Sequence, residues 1–543
     1  MGRVGEKPSH TDRYTARNFG QMTKTGHIGS LLQSLRPRGG GEVLAAAIFV
    51  SLVTIQIIYA AVADLRTDEA YYWTWSKENV LSFLDHPPMI AWFVRFGTAI
   101  FGDTNFGARF GGLLAMWIAQ GLIADIVWRQ TRDRFVVWLA ILMPQAALEY
   151  GLFGSRVLPD AAMIPFALGM IWALVRLAES DDGRWWLVAG LLGGLALLSK
   201  FTVVLLVPAI LAFALVPKWR SRWLRSFYPW VALLIAAVIF SPVIYWNWLN
   251  DWAGFRFQFV RVGADHGASV RTVVDFLGLQ AGLVGPLLFP VALAGSIMLA
   301  WRGYRHKNPA YILISTCALA PFVFFVWRSL SLRVGDTWPM LIWPFAFTAV
   351  AINLAQIRKS PQTSWLLRTA QGWLVAAVIV GAVLNIGAFY YYALSGVPGL
   401  GKKDPVGKES GYREVALQAK AVANQTGATW IAAINYRIYA MMRWHLKDSM
   451  PVIQITERSR FLGFNDERTK SAIGSGVGLF VDTLPENNII EVATPAATKV
   501  VGGADQVWRG VVIDKFIFKT IRNWKPDLSP PRDTFFYKWH PLG

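Results

Sequence analysis

Residues 43–73 read VLAAAIFVSLVTIQIIYAAVADLRTDEAYYW. The apolar run is long enough to cross a bilayer, which takes about 20 residues, and it empties directly into Thr67-Asp68-Glu69 and three aromatic side chains. Carboxylates at a bilayer edge are costly unless they line a polar cavity or meet a partner. Asp68 and Glu69 therefore mark a candidate site as well as the end of a helix. A second polar cluster, Asp85-His86-Pro87-Pro88, follows in the same loop. Its two prolines stiffen the chain after His86 and remove two backbone donors.

Outward from this stretch the pattern repeats. Apolar runs fall at about 43–64, 107–128, 135–153, 159–178, 185–199, 201–217, 229–247, 277–300, 309–327, 337–356 and 369–394. With 54% hydrophobic residues and 26 Trp in 543 residues, the chain reads as a polytopic α-helical membrane protein of about 11 transmembrane helices. The net charge of +19 does not point to nucleic acid, because many Lys and Arg fall in short loops between runs, such as Arg129 to Arg134 and Arg302 to Lys307. That is the positive-inside pattern. It sets the N-terminus in the cytoplasm and, with eleven spans, the C-terminal part outside. The single cysteine, Cys317, excludes an internal disulfide and a thiolate metal site.

Three regions follow: a basic cytoplasmic tail (1–41) expected to be disordered, a membrane domain (42–395) with a first outer loop at 65–106, and an outer domain (396–543). In the last, short β-like runs at 429–434, 451–455, 477–481 and 510–518 alternate with helical stretches at 412–424 and 436–446. That alternation predicts a small α/β domain.

Asp68 or Glu69 could accept a proton from an incoming hydroxyl, since a half-buried carboxylate has a raised pKa; a solvated helix end is the plain alternative. Tyr71 to Trp75 read more readily as an interfacial aromatic belt than as a sugar platform. Asp160 follows a proline at a span start, where an acid also suits the helix N-terminus. Lys200 interrupts two apolar runs, and there it must snorkel to water or meet an anion such as a lipid phosphate. Arg256, Arg261, Arg328 and Arg333 are cations on the side where positive charge is not expected, and a guanidinium fork suits phosphate oxygens. Asp85, His86 and Glu69 could also supply ligands to a divalent cation. No Walker loop, dinucleotide fingerprint or HExxH motif is present.

Taken in order, Asp68 to Trp73, Asp85 to Met89, Phe101-Gly102-Asp103 with Arg109, Leu158 to Ala161, Leu198 to Thr202, Ser241-Pro242 with Trp246-Asn247, and Arg333 to Pro339 resemble the GT-C membrane glycosyltransferases. The likeness is to the bacterial branch related to protein O-mannosyltransferases and the lipid A aminoarabinose transferase. Tyr436 to Tyr439 is similar to a segment of that branch's outer domain. The resemblance implies transfer of a sugar from a polyprenyl-phosphate carrier to an acceptor on the periplasmic face of the bacterial inner membrane. Asp68 would then be the base or acceptor-positioning carboxylate, with Glu69 beside it. Tyr71, Asp85, His86, Arg109, Asp160, Lys200, Arg256, Arg261 and Arg333 would be candidates for binding substrate. Some relatives hold a divalent ion near the first loop and others need none. A short first loop and an outer domain unlike a β-trefoil favour an envelope glycolipid acceptor, such as lipid A or core sugar, over a protein. A secondary transporter is the rival class, and it predicts ionisable groups at mid-membrane. Here most notable charges gather at one surface instead, with Glu149, near the outer end of the third run, the exception. A non-catalytic assembly subunit is the third reading.

Overall fold

In lipid a chain can satisfy its backbone only within its own helices or in a closed barrel, and the apolar runs of this sequence form helices. The computed structural model describes residues 35–522 except 264–266, 268, 360–363, 396–399, 455–456, 465–470, 472, 474–475 and 485–498, with residue 29 besides. Most of the expected tail 1–41 lies outside the described residues.

The helices are α1 (Gly40–Val62), α2 (Thr67–Ser76), α3 (Met89–Phe101), α4 (Asn105–Thr131), α5 (Arg134–Ala146), α6 (Leu148–Gly151), α7 (Pro159–Ser180), α8 (Arg184–Leu197), α9 (Val207–Ala214), α10 (Pro217–Arg225), α11 (Tyr228–Leu249), α12 (Ala253–Gly263), α13 (Val270–Val284), α14 (Leu288–His306), α15 (Pro309–Ser329), α16 (Trp343–Arg358) and α17 (Ser364–Tyr390). Among the described residues, seven helices are long and apolar enough to cross a membrane, or nine if each bent pair is one span. That is fewer than the eleven expected. Two expected spans, at 185–199 and 201–217, are short helical pieces on either side of Lys200. The 14 residues of α8 reach only about 21 Å against a hydrocarbon core of about 30 Å. Two others are bent: α5 and the α6 segment meet at 77°, and α13 and α14 at 99°. The second elbow turns at Gly285, whose φ of +108° a side-chain-bearing residue rarely adopts.

In an apolar 18-residue window of Trp338–Arg358, 89% of the residues are buried, and this segment forms the centre of the bundle, whereas in Tyr228–Leu249 the share is 17%. The exposed Trp230, Leu233, Leu234 and Val238 of α11 accordingly present the apolar surface expected toward lipid.

The C-terminal part adds α18 (Tyr412–Thr426), α19 (Tyr436–Leu446) and five strands: β1 (Ala428–Ala433), β2 (Val452–Gln454), β3 (Val477–Leu484), β4 (Lys499–Trp508) and β5 (Val511–Ile521). The sheet runs β2-β1-β3-β5-β4, parallel from β2 through β3 and antiparallel across β5 and β4. Strand β4 escaped the sequence reading because Gly502-Gly503 breaks its apolar pattern. It forms as the edge partner of β5.

This domain does not stand apart from the membrane helices. Tyr71, Trp73, Trp75 and Phe83 of the first loop share one apolar core with Ile438, Met441, Met442 and Trp444 of α19. Trp75 stacks on Phe83 at 4.1 Å, and Trp73 meets Trp444 edge-on at 5.1 Å. The aromatic cluster is therefore a docking core rather than the interfacial belt expected of it. Its rings are more than nine-tenths buried against protein, and protein takes the place that headgroups would have.

Candidate functional site

Helix α2 places the acidic pair. Glu69 lies at its N3 position and accepts from the Arg66 amide, 3.1 Å. Its side chain points inward to Arg109 of α4, which binds both carboxylate oxygens at 2.7 Å. The Val157 amide donates a further bond to Oε1, 2.9 Å. Arg109 is fully buried and also donates to the carbonyls of Ala60, Ala63 and Asp64. Burial works against the charge on Glu69, but Arg109 more than offsets it and holds the carboxyl below its ordinary value. Both oxygens are thus engaged, and the pair ties the end of α1, α2 and α4 together.

Asp68 faces the other way. It opens onto a polar cavity of about 900 Å³ that is also lined by Arg66, Arg156, Lys402, Arg437 and Glu409. Tyr436 Oη donates to Asp68 Oδ1 at 3.3 Å. Asp68 is solvent-accessible through that cavity, yet protein crowds it closely. That burial, with Glu409 nearby, raises its carboxyl above the ordinary value. A raised carboxylate open to a cavity can take a proton from a hydroxyl placed there. Glu409 forms an ion pair with Arg66 across the domain boundary. Arg66 and Arg156 both lie over the Tyr392 ring, at 5.2 and 4.7 Å.

A second cavity, about 390 Å³ and largely apolar, is walled by Phe201, Phe240, Phe255, Phe259 and Phe325 and carries Lys200, His86, Arg261 and Arg328. Lys200 lies in the break between α8 and the following turn. Its Nζ is 2.6 Å from Asp160 Oδ2, and both side chains are buried. The same break leaves the Leu198 carbonyl free to accept from the Met89 amide, 3.1 Å. This bond fixes the His86-Pro87-Pro88 corner against Lys200's segment. Burial, with Lys200 close by, pushes His86 down to about 3, so its imidazole is neutral. Arg261 stacks on Trp338 at 4.6 Å.

Asp85 is held from the C-terminal domain. Arg460 Nη1 lies 2.5 and 2.7 Å from its two oxygens, and the Tyr71 hydroxyl donates at 3.1 Å. Arg460 more than offsets the burial of Asp85 and holds its carboxyl below the ordinary value.

The structure thus gathers His86, Lys200 and Arg261 at one cavity, with Asp160 paired to Lys200, and Asp68 at the other. Arg109 lies behind the site. Arg256 and Arg333 are exposed, and neither lines the two cavities. Glu69, Asp85 and His86 do not form a ligand set: arginines occupy the two carboxylates, and among the described residues no group of three or more His, Cys, Asp or Glu side chains is placed to hold a metal ion. Glu149 is fully buried in α6, its oxygens without a hydrogen bond among the described residues. Sequence reasoning missed Arg460, Arg156, Arg66 and Glu409. None had a signal beyond being a charged residue near an apolar one.

With this geometry in place, comparison with known proteins is informative. Residues 85–246 match the family model described as dolichyl-phosphate-mannose-protein mannosyltransferase. A lipid A galacturonosyltransferase of Rhizobium johnstonii is 25% identical over 450 residues, covering 76% of this chain and 84% of that one. An undecaprenyl phosphate-alpha-4-amino-4-deoxy-L-arabinose arabinosyl transferase of Proteus mirabilis is 25% identical over 48% of this chain, and the match spans half of its own length. The crystal structure of ArnT from Cupriavidus metallidurans bound to undecaprenyl phosphate superposes with a TM-score of 0.60 at 14% identity, covering 90% of this chain and 99% of that one. In fold the chain is similar to the ArnT structure, and in sequence to glycosyltransferases of the GT-C class. Within that class, its sequence is similar to bacterial transferases named for lipid A and for an aminoarabinose donor.

Proposed function

We propose that this protein transfers a sugar from a polyprenyl-phosphate carrier to an envelope glycolipid of the lipid A type, at the membrane face where the first loop meets the outer domain. The observation that carries the reading is the pair of cavities: a largely apolar one with cations at its head, and a polar one opened by Asp68. An isoprenoid phosphate matches the first in both tail and head. The relatives named for such donors and for lipid A support the same assignment. The positive-inside pattern supports a periplasmic site and a cytoplasmic N-terminus.

In this mechanism an acceptor oxygen bonds to the anomeric carbon while the bond from that carbon to the phosphate oxygen breaks. The electron pair leaves with the phosphate. Attack opposite the leaving group inverts the anomeric centre. Lys200 spends one of its three donors on Asp160 and keeps two for phosphate oxygens. Arg261, held on Trp338, adds its guanidinium fork, and neutral His86 can donate one N–H. Stabilising charge on the leaving phosphate and positioning the two substrates are the main demands of the step. Asp68 takes the proton when the acceptor is a hydroxyl; a phosphate acceptor needs no such base. Glu69 and Arg109 act behind Asp68 by fixing the turn of α2.

The test compares envelope glycolipids by mass spectrometry in cells with the intact protein, without it, and with Asp68→Asn at matched membrane levels. One sugar mass should vanish from lipid A or core oligosaccharide in both altered strains while the polyprenyl-phosphate sugar accumulates. Identical glycolipids in all three strains would refute the reading.

A further inference from the structure

We infer that Arg460 of the outer domain is a positioning residue for the transfer, joining the corner that borders the apolar cavity to the carboxylate that opens the polar one. The inference rests on the proposed assignment of donor and acceptor to those two cavities.

The path is short and continuous. Arg460 is 6% exposed and grips both oxygens of Asp85, whose peptide bond leads directly to His86. From the other side Gln258 donates to the Asp85 carbonyl, 2.6 Å, so the corner is held between the membrane bundle and the outer domain. The Arg460 guanidinium lies 4.4 Å over the ring of Tyr436. The hydroxyl of that ring donates to Asp68 in the polar cavity, 3.3 Å. Glu457 locks the two outer-domain residues together: it accepts from the Tyr436 amide at 3.1 Å and lies 3.6 Å from Arg460 Nε.

An apolar pair would hold the two domains together without the desolvation cost of a buried ion pair. What an apolar pair would not do is tie the plane of the ring that bonds Asp68 to the position of the carboxylate next to His86. A planar guanidinium with Nη1 on the carboxylate and its face over the ring does so. When the lipid phosphate settles against His86 and Lys200, the Asp85 corner is held, Arg460 with it, and Tyr436 keeps Asp68 aimed at the acceptor. Arg460 touches neither substrate in this scheme.

The test uses the full-length protein in nanodiscs with three variants: Arg460→Lys, Arg460→Met and Tyr436→Phe. Hydrogen exchange over 67–76 is measured with and without undecaprenyl phosphate. Transfer to lipid A is measured from polyprenyl phosphate carrying galacturonate or aminoarabinose. In the intact protein the lipid phosphate should slow exchange over 67–76, although that helix lines the other cavity. Each variant should lose that response while still binding the lipid. Arg460→Met should lower kcat by about 100-fold, the scale of a small misplacement of a reacting group, with a much smaller change in KM for the donor. Tyr436→Phe keeps the ring stack and fold, guarding against a variant that merely unfolds. Around Asp68, Glu409 and Asp85 raise its carboxyl while Arg437 and Tyr436 lower it. Losing the Tyr436 hydroxyl should therefore move the acid limb of the rate profile to higher pH. An intact protein that binds the lipid without any response over 67–76, or variants whose response and kcat equal the intact protein's, would overturn the inference alone. An intact protein that neither binds undecaprenyl phosphate nor transfers either sugar would remove the proposed function, and the inference with it.

Discussion

Neighbouring positions on a helix point about 100° apart, and in α2 that angle sends Glu69 to Arg109 and Asp68 to the cavity. The sequence names both acids and assigns neither, because the residue that separates them is 40 positions away. Glu69→Gln should cost about 3–5 kcal/mol, since it leaves a buried guanidinium uncompensated, and a thermal melt of the purified protein reads it. Asp68→Asn should leave that melt unchanged. The two variants thus separate structure from chemistry at adjacent positions. Glu409 is among the groups that raise Asp68, so Glu409→Gln should move the acid limb of the rate profile to lower pH with a hydroxyl acceptor. A limb that stays in place would detach Asp68 from that titration.

At the scale of elements, the break at Ser199-Lys200 was legible as a polar interruption, and the structure shows what the interruption is for. It shortens two helices, frees the Leu198 carbonyl for the Met89 amide and brings Lys200 to the cavity beside His86. The hairpin of α3 and α4 depends on a different signal. A Cβ on Gly111 would lie 2.3 Å from the Phe93 carbonyl oxygen, and one on Gly97 would lie 2.1 Å from that of Gly107. Backbone opposes backbone at both places, and neither can give way cheaply. Gly111→Ala should therefore destabilise by about 1–3 kcal/mol through overpacking, whereas Gly121→Ala on the same helix, which meets nothing within 4 Å, should not. Paired thermal melts of the two variants decide it. Helix α19 was legible from its apolar spacing, but its partner was not. Tyr71, Trp73 and Trp75 look equally suited to headgroups and to protein until the outer domain is in place.

Across the whole molecule, ion pairs join the C-terminal domain to the first loop: Arg66 with Glu409, Asp85 with Arg460, and Glu78 with Arg443. The Asp85 carboxyl is lowered on folding from an ordinary value of 3.8. Its contribution is therefore complete above the unfolded value and is lost as pH falls through the lower folded value. Docking of the outer domain should loosen on acidification below about pH 4, read as growing protease sensitivity between the two domains. Arg460→Lys should shift that onset upward, and Asp85→Asn should abolish the pH dependence assigned to this pair. Sensitivity that is flat with pH in the intact protein would remove Asp85 from the docking account.

The sequence by itself determined that the chain lives in a membrane, where its apolar runs lie, and which loop bears the polar residues. Each of these follows from local composition, because hydrocarbon imposes the same demand on every apolar run. Tertiary structure alone decided which carboxylate Arg109 takes and that the C-terminal domain packs on the first loop. Arg460 lies 375 residues from Asp85, and Tyr436 lies 368 from Asp68. Contacts of that range leave no periodicity in the chain. They exist because a buried charge must find a partner wherever folding has placed one.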